Sequence, residues 1–316
     1  MPMLNIYSIE VLSKKSWIPA GFFLDWKNWG KQSRKSYFYD HKDSDTEKWK
    51  YIRVTKDGTL MKKFHIWLWD ELAKFDLELP KSINWWVSQK SILNAINIHV
   101  RKEDFCFIKS DLSRFFESIP KQRIFSLFCG KFGCSKEVAE VIANCITFPI
   151  WPLWSASEEL TLARWLHVSS RVAIWASIDF FILLENRIFE KFKELKPKIS
   201  YYVDDIGISL VTADSNSIES LIAYLKSFIE NECPILGFLS LHPEKTTHTF
   251  INTEDSYVEY LWARIYRNRK DVSLKWVQKS RDLYFLYQKT IDSKEKSSLY
   301  KKIIARKEFR KRIKST

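Results

Sequence analysis

Glycine is scarce, with 7 residues in a chain of 316 that carries 14 tryptophans, 13 tyrosines and 22 phenylalanines. That scarcity leaves no Gly-rich loop able to cradle phosphates, which disfavours the P-loop and dinucleotide-binding classes. The five cysteines, Cys106, Cys129, Cys134, Cys145 and Cys233, are odd in number and form no CxxC pair. Neither a zinc site nor a disulfide framework is expected from them, and a reducing cytoplasm fits. The opening MPMLNIYSIEVLSKKS has no apolar run after a basic start and does not read as a signal peptide. The longest apolar stretch, Val172 to Leu184, is too short to span a bilayer and contains Asp179. No repeat, low-complexity tract or Pro/Gly/Ser linker divides the chain, so any subdomains must share interfaces.

What is present is a folding composition, 46% hydrophobic and 28% charged, with a net charge of +13. A positive field of that size attracts polyanions, and nucleic acid is the obvious candidate. Charge alone leaves open a basic protein with no such function. The abundant rings add a little, since they can stack on bases, although most will be core.

Along the chain, Tyr51 to Ile66 reads as two extended runs about Asp57-Gly58, a basic β-hairpin. Asn84 to Val100 has helical spacing and leads into a strand, Phe105 to Ile108, that ends at Asp111. Gln122 to Ile146 predicts two amphipathic helices parted near Gly130 to Ser135, and Val172 to about Lys193 a long helix. Ile199 to Val211 predicts two short strands hinged at Asp204-Asp205, then a helix from Ser217 to Glu232 capped by Asp214 or Ser215. Tyr257 to Tyr266 reads as a strand pair and the basic tail as helix. The whole is an α+β arrangement with helices covering one face of an antiparallel sheet.

Two segments carry the chemistry: FIKSDLSRFFESI (Phe107 to Ile119) and YYVDDIGISL (Tyr201 to Leu210), each placing carboxylate at a strand end. If adjacent strands bring Asp111, Asp204 and Asp205 together, three carboxylates converge at a cost that bound cations would offset. Such an oxygen-rich cluster suits Mg²⁺, and two ions can activate an attacking 3′-hydroxyl and stabilise leaving pyrophosphate. Asp204-Asp205 alone would be an ordinary turn.

Together these segments resemble the palm of reverse transcriptases. Phe107 to Ile119 resembles motif A, and Tyr202-Val203-Asp204-Asp205 looks like the YxDD box of motif C. Leu236 to Thr247, ending in Lys245-Thr246, is similar to motif D, and Tyr260-Leu261-Trp262 resembles motif E. The resemblance implies a right-hand polymerase fold: an N-terminal and fingers region at 1–101, a palm at 102–265 with inserted fingers helices at about 122–165, and a basic helical thumb-like region at 266–316. It implies two Mg²⁺ ions, with Mn²⁺ as a substitute, on Asp111, Asp204, Asp205 and the backbone of Leu112. It places Phe116 as the gate against a ribose 2′-hydroxyl, and Lys62, Lys63, Lys245 and Ser170 around the dNTP. Tyr202, Arg171, Trp262 and Lys311 fall to nucleic-acid binding. Core packing for Phe116 and a solvent-facing role for the lysines stay open.

Motif B departs from the family, because Leu166-His167-Val168-Ser169-Ser170-Arg171 has neither the Pro nor the Gly of the usual turn. Ser170-Arg171 looks like the variant of some bacterial defence-associated reverse transcriptases. Asn94 to His99 is similar to the Asn-Ala-x-x-His element of retron enzymes, with one extra residue and in an earlier position. The defence-associated group, including abortive-infection relatives, is therefore favoured over a retron. The expected partners are an RNA template of specific noncoding type, dNTPs, a DNA product, and a second copy or a defence-operon effector protein. No membrane is expected. Template-independent or protein-primed synthesis, an RNA-dependent RNA polymerase and a catalytically silent nucleic-acid-binding scaffold are the alternatives.

Overall fold

Short polar caps start most of the helices in a computed structural model that describes residues 3–27, 36–42, 51–84, 92–149, 159–211, 214–232 and 239–314. Ser8 accepts the Val11 N–H at 3.3 Å to open α1 (Ile9–Ser16), and α2 (Ala20–Lys27) comes directly after it. Strands β1 (Phe38–Lys42) and β2 (Tyr51–Thr55) pair antiparallel.

The expected hairpin across Asp57-Gly58 does not form. The turn is there, with Gly58 at φ 76°, but it leads into a helix, α3 (Leu60–Ala73). Thr59 caps it by accepting the Lys62 N–H at 3.3 Å, and Met61, Phe64, Leu68 and Leu72 are buried at helical spacing. A capped 3.6-residue period outweighs the β-hairpin preference of an Asp-Gly pair. Strand β2 finds its partner upstream instead.

Helix α4 (Ile92–Asn97) leads to β3 (Phe105–Ser113), the central strand. Helices α5 (Lys121–Ser126) and α6 (Lys136–Ile146) come next, then the short pair β4 (Thr147–Pro149) and β5 (Leu160–Leu162). Helix α7 (Ser169–Lys191) is buried along most of its length, so the apolar run noted in the sequence is a core helix. Its exposed Asp179 is held by Arg123 at 2.9 Å and Lys131 at 3.3 Å.

The hairpin β6 (Lys198–Tyr202) and β7 (Asp205–Leu210) succeeds it, then α8 (Ser215–Ser227), whose cap is Asp214, accepting from the Asn216 and Ser217 N–H groups. Strands β8 (Ser240–Leu241) and β9 (Thr247–Ile251) both pair with β3, completing a five-stranded antiparallel sheet in which β3 lies between β7 and these two. Strands β10 (Tyr257–Tyr260), β11 (Ala263–Tyr266) and β12 (Lys270–Val272) form a second antiparallel sheet. Its first turn, Leu261-Trp262, has φ of 48° and 72°, as a two-residue hairpin loop with both central residues left-handed requires. Helices α9 (Leu274–Lys289) and α10 (Ser293–Lys314) close the chain.

The sheet is covered on both faces, not on the one face expected from the sequence. Cys106, Ile108 and Leu112 join the main core with α3, α6 and α7, whereas Phe105 and Phe107 join a second core with Ile96, Val258, Tyr260, Ile265 and Trp276. Alternate residues of β3 point to opposite faces, so a strand sandwiched between two cores reads as a continuous apolar run. Among the described residues no helix is long and apolar enough to cross a membrane. The four described cysteines are free, and Cys233 lies outside the described residues.

Candidate active site

The antiparallel register sets the carboxylates. Asp111 near the end of β3 lies directly opposite Asp205 at the start of β7, so both side chains project from the same face, at a separation typical of paired strand residues. Asp204 sits in the turn between β6 and β7, where its carbonyl accepts the Leu112 N–H at 2.8 Å. Val203 turns the chain at φ 62°, a left-handed conformation costly for a β-branched residue. On the other side of β3 the Asp111 carbonyl accepts the His242 N–H at 2.8 Å. The strand that carries Asp111 is thus tied to the Asp204-Asp205 turn on one side and to the segment leading to Lys245 on the other.

The three carboxyl groups crowd one another. Burial and then the neighbouring charge of Asp111 raise Asp204 above the ordinary carboxylate range, and burial with Asp204 and Asp111 raises Asp205 to about 7. Lys245, on the short turn Pro243–Lys245, places its ammonium 2.5 Å from Asp111 Oδ1. The adjacent Thr246 hydroxyl lies 2.8 Å from that of Ser110. Arg164 is a second cation at this place, and nothing in the local sequence pattern marked it. It donates from Nε and Nη2 to Glu117 at 2.7 and 2.9 Å, and its guanidinium lies 5.7 Å from the Phe116 ring centre. Burial opposes its charge, but Glu117, Asp204 and Asp111 outweigh that and hold it firmly protonated.

The donor set, carboxylate oxygens in mutual repulsion, has the chemistry of a hard divalent cation site. As arranged here, no three His, Cys, Asp or Glu side chains among the described residues close into a ready-made metal cage, and Lys245 balances Asp111. The residues fit Mg²⁺ in kind, with a lysine standing where positive charge is needed.

The other residues singled out from sequence fall in several places. Phe115 is fully buried, while Phe116 is half-buried, edge-on to Phe115 at 5.7 Å, and packed against the main core. Lys62 and Lys63 ride on α3, not on a hairpin; Lys62 is half-buried 3.8 Å from Asp57, and Lys63 is exposed. Ser170 is half-buried in the first turn of α7, and Tyr202 is half-buried, opposite Asp205. Trp262 is partly exposed on the β10–β11 turn with Lys279 over its ring at 4.7 Å, and Lys311 is exposed near the end of α10. Arg171 is committed inside the fold rather than facing a strand. It donates to Asp76 and to the Trp69 carbonyl, each at 2.8 Å, and stacks on the Trp69 ring at 3.7 Å. His99, from the retron-like segment, is buried with its ring nitrogens 2.9 Å from Ser209 Oγ and 2.8 Å from Ser200 Oγ.

No family model matches the chain, and no curated protein matches its sequence. Two telomerases are among the solved structures to which the chain is similar. One is apo telomerase from Candida tropicalis, truncated from its C-terminal domain, with 10% identity over 81% of this chain and 61% of that one and a TM-score of 0.46. The other is telomerase from Candida albicans in complex with a TWJ fragment of telomeric RNA, with 10% identity over 86% of this chain and 55% of that one and a TM-score of 0.43. The chain spans less than two thirds of either telomerase. Likeness this loose leaves the chemistry to be read from the residues themselves.

One of those residues is Gly207, on β7 two positions after Asp205 and on the same face. A Cβ built there would lie 2.7 Å from Cζ of Tyr260, whose ring is fully buried and whose hydroxyl lies 3.0 Å from Ser200 Oγ. The ring has no room to retreat. Gly207→Ala is expected to cost about 1–3 kcal/mol by overpacking and to shift β7 and the carboxylate that opens it. Thermal unfolding alongside nucleotide incorporation checks this, and a variant with wild-type melting temperature and activity would contradict it.

Proposed function

We propose that this chain is a template-copying DNA polymerase of the reverse-transcriptase type, adding dNTPs to a DNA 3′-end on an RNA template. The observation that supports it is the register of Asp111 against Asp205, with Asp204 in the turn that leads into β7 and Lys245 on Asp111. This arrangement joins three motifs that are far apart in sequence. Asp111, Asp204 and Asp205, with the Leu112 carbonyl, would hold two Mg²⁺ ions, or Mn²⁺ in their place. When bound, the ions supply activation of the 3′-hydroxyl and neutralisation of charge on the leaving pyrophosphate.

The chain's own groups supply the rest. Lys245, already at the carboxylates, offers a charged donor to the triphosphate and a proton to pyrophosphate. Phe116 lies five residues after Asp111 and presents its half-buried ring as the wall against a 2′-hydroxyl, and Arg164 over that ring keeps positive charge beside the phosphates. The setting we propose, from the resemblance to defence-associated enzymes, is bacterial antiphage defence with a specific noncoding RNA as template.

Incorporation of labelled dNTPs by the purified chain, with an RNA template and DNA primer, tests the reaction. Activity in Mg²⁺ or Mn²⁺ that chelation removes is expected, and no incorporation with either ion would contradict the proposal. Phe116→Ala is further expected to raise the efficiency of rNTP use relative to dNTP by roughly tenfold or more, as removal of a packed wall from a specificity pocket does. An unchanged ratio in a folded, active variant would assign the ring to the core alone.

A further inference from the structure

Trp165 is held in a conformation and an exposure that a tryptophan ordinarily avoids. Its φ is +65°, in the left-handed region that favours glycine, and 68% of the residue is exposed. The segments on either side are firmly anchored. The Leu162 N–H donates to the Ile119 carbonyl at 2.9 Å, and the Ala163 N–H to the Ile146 carbonyl at 3.1 Å. The Ala163 carbonyl accepts from the Ser169 hydroxyl at 2.5 Å, and the neighbouring Arg164 makes its paired bond to Glu117. On the far side Leu166 and Val168 are buried, and the Ser169 N–H donates to the Leu166 carbonyl at 3.1 Å. The chain is pinned on both sides of Trp165, and the indole is pushed out. Strain sustained by such surroundings, with a large ring turned toward water, is a feature that concentrates at binding sites.

Its position says what the ring would meet. Arg164, the preceding residue, lies over Phe116 and within the field of Asp204 and Asp111. His167, two residues on, is exposed, packs at 5.4 Å on Trp69 and senses Lys62 on α3. In the chain, Trp165 is therefore bracketed by a residue at the carboxylate site and by one beside the start of α3. An exposed flat ring next in the chain to Arg164, beside a site proposed for nucleotide chemistry, matches a nucleobase, whose π-face the ring would take.

We propose that Trp165 is a stacking platform for a nucleobase, supplied by the nucleic-acid strand or by the incoming nucleotide. The inference rests on the proposed polymerase site for its ligand class, but its binding arm can be read without catalysis.

The test uses the full chain and a fluorescein-labelled RNA template annealed to a DNA primer, alongside the same duplex with an abasic residue at the first templating position. Anisotropy is measured in chelating buffer without dNTP. If the strand supplies the base, the wild type should bind the base-bearing duplex about five- to tenfold more tightly than the abasic one, as one stacked base provides. Trp165→Ala should erase that preference and Trp165→Tyr should keep most of it. If the incoming nucleotide supplies the base, Trp165→Ala should instead raise the KM for dNTP about five- to tenfold, and Trp165→Tyr should restore it.

Trp165→Gly separates binding from folding. Relief of the left-handed strain should raise the melting temperature by roughly 1–3 °C, while stacking is lost as in Trp165→Ala. Folded Ala and Gly variants that match the wild type in both the abasic comparison and the KM would overturn the inference, as would a Gly variant that melts well below the wild type. A wild type that prefers the base but never extends a primer would remove the polymerase reading and leave the stacking site. Extension by a wild type whose base preference and dNTP KM are both unchanged in Trp165→Ala would do the reverse.

Discussion

Replacing Asp204 and Asp205 together by asparagine is expected to lower metal-dependent dNTP incorporation by about 10³-fold or more, while the protein stays folded. The size of the loss reflects the proposed role, since a divalent cation contributes several kcal/mol of charge stabilisation in the transition state and amide oxygens hold it poorly. The fold survives for the opposite reason. Burial and mutual repulsion raise both groups above the ordinary carboxylate range, so as charged groups they oppose the folded state. Neutral isosteres remove that repulsion, and the hydrogen bond that fixes the turn runs from the Leu112 N–H to the Asp204 backbone carbonyl, which the substitution spares. Thermal unfolding should show a melting temperature equal to or above that of the wild type. Incorporation within tenfold of wild type by the double variant, or collapse of the fold, would count against this account of the site.

The second large effect concerns stability. Arg171 and Asp76 form an ion pair at 2.8 Å with side chains only 5% and 0% exposed, joining the start of α7 to the segment after α3. Burial pushes the Arg171 guanidinium down from its usual range, and the Asp76 charge opposes that shift. Truncating either partner strands a buried charge, so Asp76→Ala or Arg171→Met is expected to cost about 3–5 kcal/mol in denaturant unfolding. The double variant should be more stable than the sum of the two losses implies, because neither charge is then left behind. Nucleic-acid affinity per folded molecule should be unchanged in Arg171→Met. Normal stability with lost affinity would return Arg171 to the nucleic-acid face.

What was legible in the sequence depended on whether the physics is local. The strand that carries Asp111, the turn before Asp205, the Asp214 cap and the long helix through Val172 are set by period and by neighbouring residues, and they appear within a few residues of those signals, the strand running on to Ser113 and the helix starting at Ser169. The stretch after Gly58 misled because Asp-Gly signals a turn without specifying the element beyond it, while the cap at Thr59 and the Met61, Phe64, Leu68 spacing carried the answer. Lys62 and Lys63 therefore sit on a helix instead of a hairpin. Pairings across long sequence separations left no trace: Arg164 with Glu117, Arg171 with Asp76, and Gly207 under the Tyr260 ring are decided by how the sheets and helices stack. Trp165 was invisible for a related reason. A tryptophan in an apolar sequence context reads as core, and its exposure is set only by the anchoring of its neighbours.

The most direct measurement of the central claim is the sequence of the product. The purified wild-type chain is given Mg²⁺, all four dNTPs, a DNA primer and an RNA template of defined sequence, and the extended DNA is sequenced. Copying predicts DNA complementary to the template beyond the primer, its length set by the template's 5′-end and its yield abolished in the Asp204→Asn, Asp205→Asn variant. Homopolymeric or random extension, or no extension in either Mg²⁺ or Mn²⁺, would contradict it.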